Sequence, residues 1–308
     1  MLLSIIVPCF NEEEALPIFY HTMRKYEDQI SADIEYCFID DGSKDSTLNI
    51  MRKLCDTDSR VHYCSFSRNF GKEAVLLAGL KMARGSYVAT MDVDLQDPPE
   101  LLPEMFNILT KSDSTYDCVA TRRKTRTGEP AIRSFFARRF YRLMNRISDT
   151  KIIDGARDYR MMSRRMVDAI VADGEYNRFS KGIFSWVGFE TYWISYENIE
   201  RSAGKTKWSF WGLFKYAVDG ILAYSVAPLY LELILGISMC SIGLILLIVD
   251  IFNSIVTKYS AMSWASLLSI IIFVGGIMMS GIGTLGLYIS KIYTETKKRQ
   301  VYIIKEEK

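Results

Sequence analysis

Residues 3–42 read LSIIVPCFNEEEALPIFYHTMRKYEDQISADIEYCFIDDG, and their pattern decides the fold class. Two continuous apolar or β-prone runs, 3–9 (LSIIVPC) and 34–39 (IEYCFI), have strand length. Between them, EEEALPIFYHTMRKYEDQI is patterned as a helix, with acids in the first turn where the helix dipole favours them. Strand, helix, strand in that order predicts a parallel α/β sheet. The unit recurs downstream. STLNIMRKLCDT reads as helix, RVHYCSFS as strand, GKEAVLLAGLKMA as helix and SYVATM as strand, and DCVATRR as a further strand. Polar clusters follow four successive strands: PCFNEEE, DDGSKDST, SRNFGKE and DVDLQD. In an open α/β sheet, ligands bind along that carboxyl edge.

A chain of 308 residues is long enough for one large domain or two modest ones. Its net charge of +2 says little, but the distribution is uneven. From Arg122 to Arg146 there are eight arginines and one lysine against a single acid, Glu129. Six cysteines (Cys9, Cys37, Cys55, Cys64, Cys118, Cys240) show no CxxC spacing and read as reduced small hydrophobes of a cytosolic compartment, not as disulfides or a zinc site. His21 and His62 fall in no ligand pattern. The first residues lack a basic lead and a long apolar run, so they read as a strand, not a signal peptide.

The last third differs. Leu233–Val249 carries no charge, nor does the run from Tyr259 to Ser290, and each reaches the roughly 17–25 residues that cross a bilayer core. Glycines in GGIMMSGIG suit close helix packing in lipid. The loop between the runs holds only Lys258, whereas Lys205, Lys207 and Lys215 precede the first and Lys291, Lys297, Lys298 and Arg299 follow or close the second. Positive residues favour the cytoplasmic side, so two spans with both termini cytoplasmic are expected.

MDVDLQDPPE, residues 91–100, packs Asp92, Asp94 and Asp97 at a strand end. Alternate carboxylates leaving a strand suit a hard divalent cation, Mg²⁺ or Mn²⁺, that completes its shell with substrate phosphates. A helix–loop–helix calcium loop is excluded, because counting Asp92 as position 1 puts Asp97 where glycine is needed and Pro103 where glutamate is needed. Asp97 reads as the cap of the proline-led helix that follows. DDGSKDST reads either as a turn with Ser43 or Asp45 capping a helix, or as a carboxylate site for a nucleobase or ribose.

Taken together, IIVPCFNEEEALP, FIDDGSKDST, SFSRNFGKEAVLLAGL and MDVDLQDPPELL resemble, in order and spacing, the family 2 glycosyltransferases of the GT-A fold. The likeness is strongest to the membrane-anchored polyprenyl-phosphate glycosyltransferases, the group of bactoprenol glucosyltransferase and dolichol-phosphate mannose synthase. TRRKTRTGE, DYRMMSRR, RFSKGIFSWVGF and RSAGKTKWSFWGL extend it over nearly the whole chain. The resemblance implies a Rossmann-like nucleotide-sugar-binding domain followed by interfacial helices and two transmembrane helices. It implies nucleoside contacts from Pro8, Phe10, Glu12 and Asp41, with Asp40 and Ser43 close by. Asp92 and Asp94 match the DxD that holds metal and donor diphosphate, with Gln96 beside it. Asp158 matches the acid near the reaction centre, and Arg201 and Lys207 match the basic residues that close over the diphosphate. Arg157 departs from the pattern, since relatives often carry a small or neutral residue before that Asp.

The basic segment then fits an amphipathic helix at about 132–147, with Phe135, Phe136, Phe140 and Tyr141 among Arg138, Arg139, Arg142 and Arg146, lying in an anionic membrane interface. Arg122, Arg123 and Arg133 are the candidates to grip a lipid phosphate. A nucleic-acid surface is disfavoured because the aromatics keep company with aliphatics. The expected organisation is a cytoplasmic catalytic domain over 1–206, an interfacial helix over 207–225 with Trp208 and Trp211 at headgroup depth, and a two-helix transmembrane region with a short cytoplasmic tail over 226–308. The expected activity is inverting, metal-dependent transfer of a hexose from a UDP-sugar, UDP-glucose foremost, to undecaprenyl phosphate at the inner face of the cell membrane. The competing expectations are a GDP-mannose enzyme on the same lipid and a non-catalytic nucleotide-sugar-binding protein. Oligomeric state, including a homo-oligomer, is left open by the sequence.

Overall fold

A computed structural model describes residues 1–123, 153, 155–176, 178–197, 225–257 and 264–308, with isolated residues at 142, 145, 146, 218 and 221. The expected alternation is present: β1 (Leu2–Cys9), α1 (Ala15–Met23), β2 (Asp33–Asp40), α2 (Thr47–Thr57), β3 (Val61–Phe66), α3 (Lys72–Met82), β4 (Tyr87–Thr90), α4 (Leu101–Thr110) and β5 (Cys118–Arg123). Then follow β6 (Ala156–Ser163), α5 (Arg164–Ala172), α6 (Ser180–Trp186) and β7 (Thr191–Tyr196). Two long helices, α7 (Ala227–Thr257) and α8 (Trp264–Thr296), precede a last strand, β8 (Ile304–Glu307).

Among the described residues eight strands form one sheet in the order β7-β5-β6-β4-β1-β2-β3-β8. The pairs β1–β2, β1–β4, β2–β3 and β5–β7 are parallel, while β6 is antiparallel to β4 and β5, and β8 is antiparallel to β3. The carboxyl ends of β1–β5 and β7 therefore share one edge, where β6 begins. This is the layered α/β architecture that the sequence resemblance implied.

Alternation along the strands divides the core between the two faces of the sheet. Leu3, Ile5, Val7, Tyr36 and Phe38 pack with Leu16 and Phe19 of α1, Met51 of α2 and Met105 of α4. Ile6, Cys37 and Ile39 face Val75 and Ala78 of α3, Met166 of α5 and Ile183 of α6. Helix α3 lies close enough on β1 that a Cβ at Gly79 would stand 2.2 Å from Ile6 Cγ2, so only glycine fits there. Among the described residues Cys9, Cys37, Cys55, Cys64 and Cys118 are free thiols, and all but Cys55 are buried.

Three expectations change. The acids of EEEALP precede α1, which starts at Ala15, so they do not form its first turn. Asp97 is not a helix cap: Glu100 holds the cap position of α4, and no side chain caps it. The tail expected beyond the second span ends as β8, whose residues Glu307, Glu306 and Ile304 pair with Cys64, Ser65 and Phe66 of β3.

Candidate active site

The polar loops at the carboxyl edge are tied to one another. At the end of β1, the Asn11 amide donates to Ser43 Oγ (2.8 Å) and the Glu12 amide to Thr47 Oγ1 (2.8 Å). In return the Lys44 amide donates to Asn11 Oδ1 (2.8 Å) and the Ser46 amide to Glu13 Oε2 (2.9 Å). Asp45 accepts from the amide (3.0 Å) and hydroxyl (2.6 Å) of Thr47, the first residue of α2, but Ser46 holds the cap position and no side chain caps it, so neither Ser43 nor Asp45 is the cap the sequence suggested. Pro8 and Phe10 lie partly buried on the same edge. Gly42 makes this turn at φ +70, and a Cβ there would meet the Arg68 backbone at 2.6 Å.

Asp40 and Asp41, expected at or beside the nucleoside, are committed inside the protein. Asp40 is fully buried and accepts from Ser65 Oγ (2.7 Å) and the Ser43 amide (3.0 Å). Asp41 accepts from the amides of Phe70 (2.6 Å) and Gly71 (3.0 Å), which draws the β3–α3 loop against the end of β2. Burial pushes the Asp41 carboxyl up, and those two amide donors oppose the shift.

Antiparallel pairing of β4 with β6 sets Thr90 opposite Arg160, and continuing that register sets Asp92 opposite Asp158. The Thr90 hydroxyl donates to the Asp158 carbonyl and secures the junction. Between the two carboxylates stands Lys72, the first residue of α3. Its ammonium lies 2.9 and 3.2 Å from the two Asp92 oxygens and 2.6 Å from Asp158 Oδ2. On the other side, Arg157 Nη2 is 3.8 Å from Asp92 Oδ2, and its Nε donates to Asp97 Oδ1 at 3.0 Å. Tyr196 donates its hydroxyl to the same Asp97 oxygen at 2.6 Å. The site is thus a row of alternating charge: Asp158, Lys72, Asp92, Arg157, Asp97.

This row sets the ionisation of its members. Burial alone would raise the Asp158 carboxyl, but Lys72, helped by Lys181 and Arg160, holds it well below the usual carboxylate range. Burial lowers the Lys72 ammonium, and Asp158 and Asp92 more than reverse that. A cavity of about 410 Å³ opens on the face of β6 that carries Ala156 and Arg160, and it is also lined by Lys181, Phe184 and Trp193. Arg160 stacks its guanidinium 3.6 Å over the Phe184 ring.

Asp94 accepts from the Gln96 amide (3.2 Å) in a turn where Leu95 adopts φ +55, and Gln96 in turn accepts from Arg123 Nη2 (3.3 Å). Arg122, exposed beside it, donates to Ser195 Oγ (2.8 Å). Among the described residues, no group of three or more His, Cys, Asp or Glu is placed to hold a metal by itself. Two partly exposed carboxylates, Asp92 and Asp94, form an oxygen-only donor set that fits a hard divalent cation keeping its waters or taking phosphate oxygens. Arg133, Arg201, Lys207, Trp208 and Trp211 lie outside the described residues. So do the basic helix at 132–147 and the interfacial helix at 207–225, apart from isolated positions.

Sequence reasoning missed Lys72. A cation at the first position of a helix opposes the helix dipole, and that unfavourable placement was the available signal. It also missed Glu73, a partly buried carboxylate that accepts from the Ser180 amide (2.9 Å) and hydroxyl and so fixes the start of α6 beside Asp158. Burial pushes the Glu73 carboxyl up.

Residues 4–171, from β1 through most of α5, match the family described as glycosyl transferase family 2. The chain belongs to that family. Relatives agree over the whole length. The prophage bactoprenol glucosyl transferase homolog of Escherichia coli (strain K12) is 43% identical over 308 residues, covering 100% of both chains. The bactoprenol glucosyl transferase of Shigella phage SfV is 42% identical, covering 100% of this chain and 99% of its own. The putative glycosyltransferase CsbB of Bacillus subtilis (strain 168) is 39% identical, covering 99% and 92%. As a family 2 glycosyltransferase the chain is an enzyme, and the Asp92–Asp158 edge falls inside the matched span.

Proposed function

We propose that this glycosyltransferase moves glucose from UDP-glucose to undecaprenyl phosphate at the cytoplasmic face of the membrane, with inversion, giving a β-linked lipid-phosphate sugar. The observation that carries the substrate assignment is the end-to-end likeness, at 42–43% identity, to relatives named bactoprenol glucosyl transferase. The row of alternating charge supports the chemistry. A nucleoside diphosphate leaving group needs positive charge where negative charge develops. Asp92 and Asp94 would hold a divalent cation, Mg²⁺ or Mn²⁺, which when bound supplies that charge to the diphosphate. Pro8, Phe10, Glu12 and Ser43 edge the space for the nucleoside, and Arg201 and Lys207 are proposed to close over the diphosphate.

The acceptor is a phosphate monoester whose second pKa near 6 leaves it mostly dianionic at neutral pH. It is a competent nucleophile without a base. Asp158, held ionised by Lys72, is a weak proton acceptor, so its proposed role is to orient the acceptor or sugar.

The helices support a membrane setting. The stretch Phe273–Thr296 of α8 is long and apolar enough to cross a bilayer by length and composition, and α7 carries a shorter apolar stretch, Ala227–Gly243. Leu233, Ile237, Ile245 and Phe252 on α7 and Phe273, Met278, Met279 and Ile282 on α8 are exposed, an apolar surface that lipid would cover. The proposed arrangement is two spans with both termini and the catalytic domain cytoplasmic, because the chain leaves the α/β unit before α7 and re-enters its sheet as β8.

The test is incubation of the purified protein with undecaprenyl phosphate and labelled UDP-glucose, UDP-galactose or GDP-mannose. Label in the lipid from UDP-glucose is expected. Label from GDP-mannose instead overturns the donor, and no label from any of the three overturns the reaction.

A further inference from the structure

The function proposed above uses Lys72 only to hold Asp158 ionised, yet its ammonium also grips a carboxylate fit to hold a metal. It spans both oxygens of Asp92 (2.9 and 3.2 Å) and one of Asp158 (2.6 Å). An ammonium has three N–H donors and no acceptor, so two carboxylates take up most of its capacity. Asp92 is one of the two carboxylates fit to hold a divalent cation, and the lone pairs it would offer are those turned toward Lys72. The contact is open to the cleft: the side chains of Lys72, Asp92 and Asp158 are 35%, 25% and 20% exposed. It is also over-determined. Glu73, one residue along α3, is committed to Ser180, and the amide of Gly71, just before α3, is held by Asp41, which keeps the start of α3 in place whether or not Lys72 holds Asp92.

We propose that Lys72 is a resident counter-ion that competes with the metal for Asp92 and serves as a positioning residue for Asp158. It bridges the two carboxylates. When a divalent cation and the donor diphosphate claim Asp92, Lys72 stays on Asp158, keeps that carboxylate aimed, and offsets its charge against an incoming phosphate dianion. The Lys72 bridge stands on the geometry, whereas the competing cation and the role toward the phosphate rest on the proposed function.

The experiment uses full-length wild-type, Lys72→Met and Lys72→Arg protein. Mn²⁺ binding is measured without donor, by the electron paramagnetic resonance signal of free Mn²⁺, and transfer from UDP-glucose to undecaprenyl phosphate is measured in parallel. Lys72→Met is expected to bind Mn²⁺ at least about tenfold more tightly than wild type, the scale on which one charge at this distance shifts a neighbouring ionisation. Its kcat is expected to fall about 100-fold with the donor KM within threefold, the loss typical of a misplaced reacting group. Lys72→Arg keeps the charge and is expected to stay within threefold of wild type in Mn²⁺ affinity; it decides the matter if Lys72→Met does not fold, because Mn²⁺ binding by Lys72→Arg tighter than threefold over wild type then overturns the proposal. A folded Lys72→Met protein with wild-type or weaker Mn²⁺ affinity also overturns it. Should wild type transfer nothing, the substrate assignment fails while the Mn²⁺ comparison still decides the competition.

Discussion

Asp92, Asp94 and Asp97 stand within six residues of one another and have three different surroundings. Asp92 meets Lys72, Asp94 meets a backbone amide, and Asp97 is fully buried against Arg157 and Tyr196. For the first two, alternate carboxylates at a strand end point to a cation, and that remains their proposed role. Asp97 was misread because two following prolines resemble a helix start, and its real partners lie 60 and 99 residues away in sequence. Removing one partner of a buried ion pair costs about 3–5 kcal/mol, whereas losing one neutral hydrogen bond to a buried group costs about 1–3 kcal/mol. Arg157→Met should therefore lower the denaturation midpoint clearly more than Tyr196→Phe in chemical unfolding; equal losses would show that Asp97 does not depend on the guanidinium. The same scale fixes a pH prediction. The folded pKa of Asp158 lies below its unfolded value, so the stabilisation from its ionised form is fully present above about pH 4 and is lost only as pH falls through the lowered folded value. Between pH 5 and 8 it does not titrate. The acid limb of kcat/KM for the acceptor should then fall near pH 6, where the lipid phosphate protonates. Asp158→Asn should lower the plateau and keep that limb; loss of the limb in Asp158→Asn would assign it to Asp158.

The four parallel strands and their helices were legible as elements because each is a continuous apolar run bounded by turn residues. Strand β6 was not, since DYRMMS alternates charged and apolar residues and was noticed only as a motif; its role emerges from pairing between β4 and β5. Strand β8 was hidden for another reason. VYIIKEEK reads as a charged tail, and four residues become a strand only because β3 offers an open edge. Tyr302 anchors it by stacking on Phe66 with ring centroids 4.8 Å apart, and Arg52 meets Glu306 at 2.6 Å. Magnitudes separate these contacts. The ion pair is largely exposed and is worth about 0.2–1 kcal/mol, while the aromatic pair adds about 0.5–1.5 kcal/mol beyond its buried area and the strand covers an edge that would otherwise invite association. Glu306→Ala should shift Tm by no more than about 4 °C in thermal scanning, at about 2–4 °C per kcal/mol for a domain of this size. Truncation after Val301 should shift it at least twice as far as Glu306→Ala and promote self-association seen by light scattering. Equal shifts would mean that the strand contributes only its ion pair.

At the scale of the whole molecule, the catalytic sheet is closed by the residues that follow the two long helices. The hairpin is held at its base, where the Tyr288 hydroxyl donates to the Ser225 carbonyl (2.5 Å) and the Tyr176 amide donates to Glu295 Oε2 (3.0 Å). Further along, Ser280 donates to Glu232 Oε1 (3.0 Å) across α7 and α8. The apolar character of both helices was plain in the sequence, but their return into the sheet was not, because that depends on the pairing of β8. The proposed topology requires the loop between α7 and α8 to face the opposite side of the membrane from both termini. A membrane-impermeant thiol reagent applied to intact cells should label a cysteine placed in that loop and should not label one added after Lys308. The central claim is that the edge built on Asp92 transfers glucose to a lipid phosphate. Its most direct measurement compares wild-type and Asp92→Asn protein, at matched folding, for conversion of UDP-[14C]glucose and undecaprenyl phosphate into a labelled, organic-extractable, mild-acid-labile lipid. Wild type should form that lipid and Asp92→Asn should fall by at least about 100-fold, the usual loss of one electrostatic contributor to a transition state; equal yields from the two proteins, or none from wild type, would contradict it.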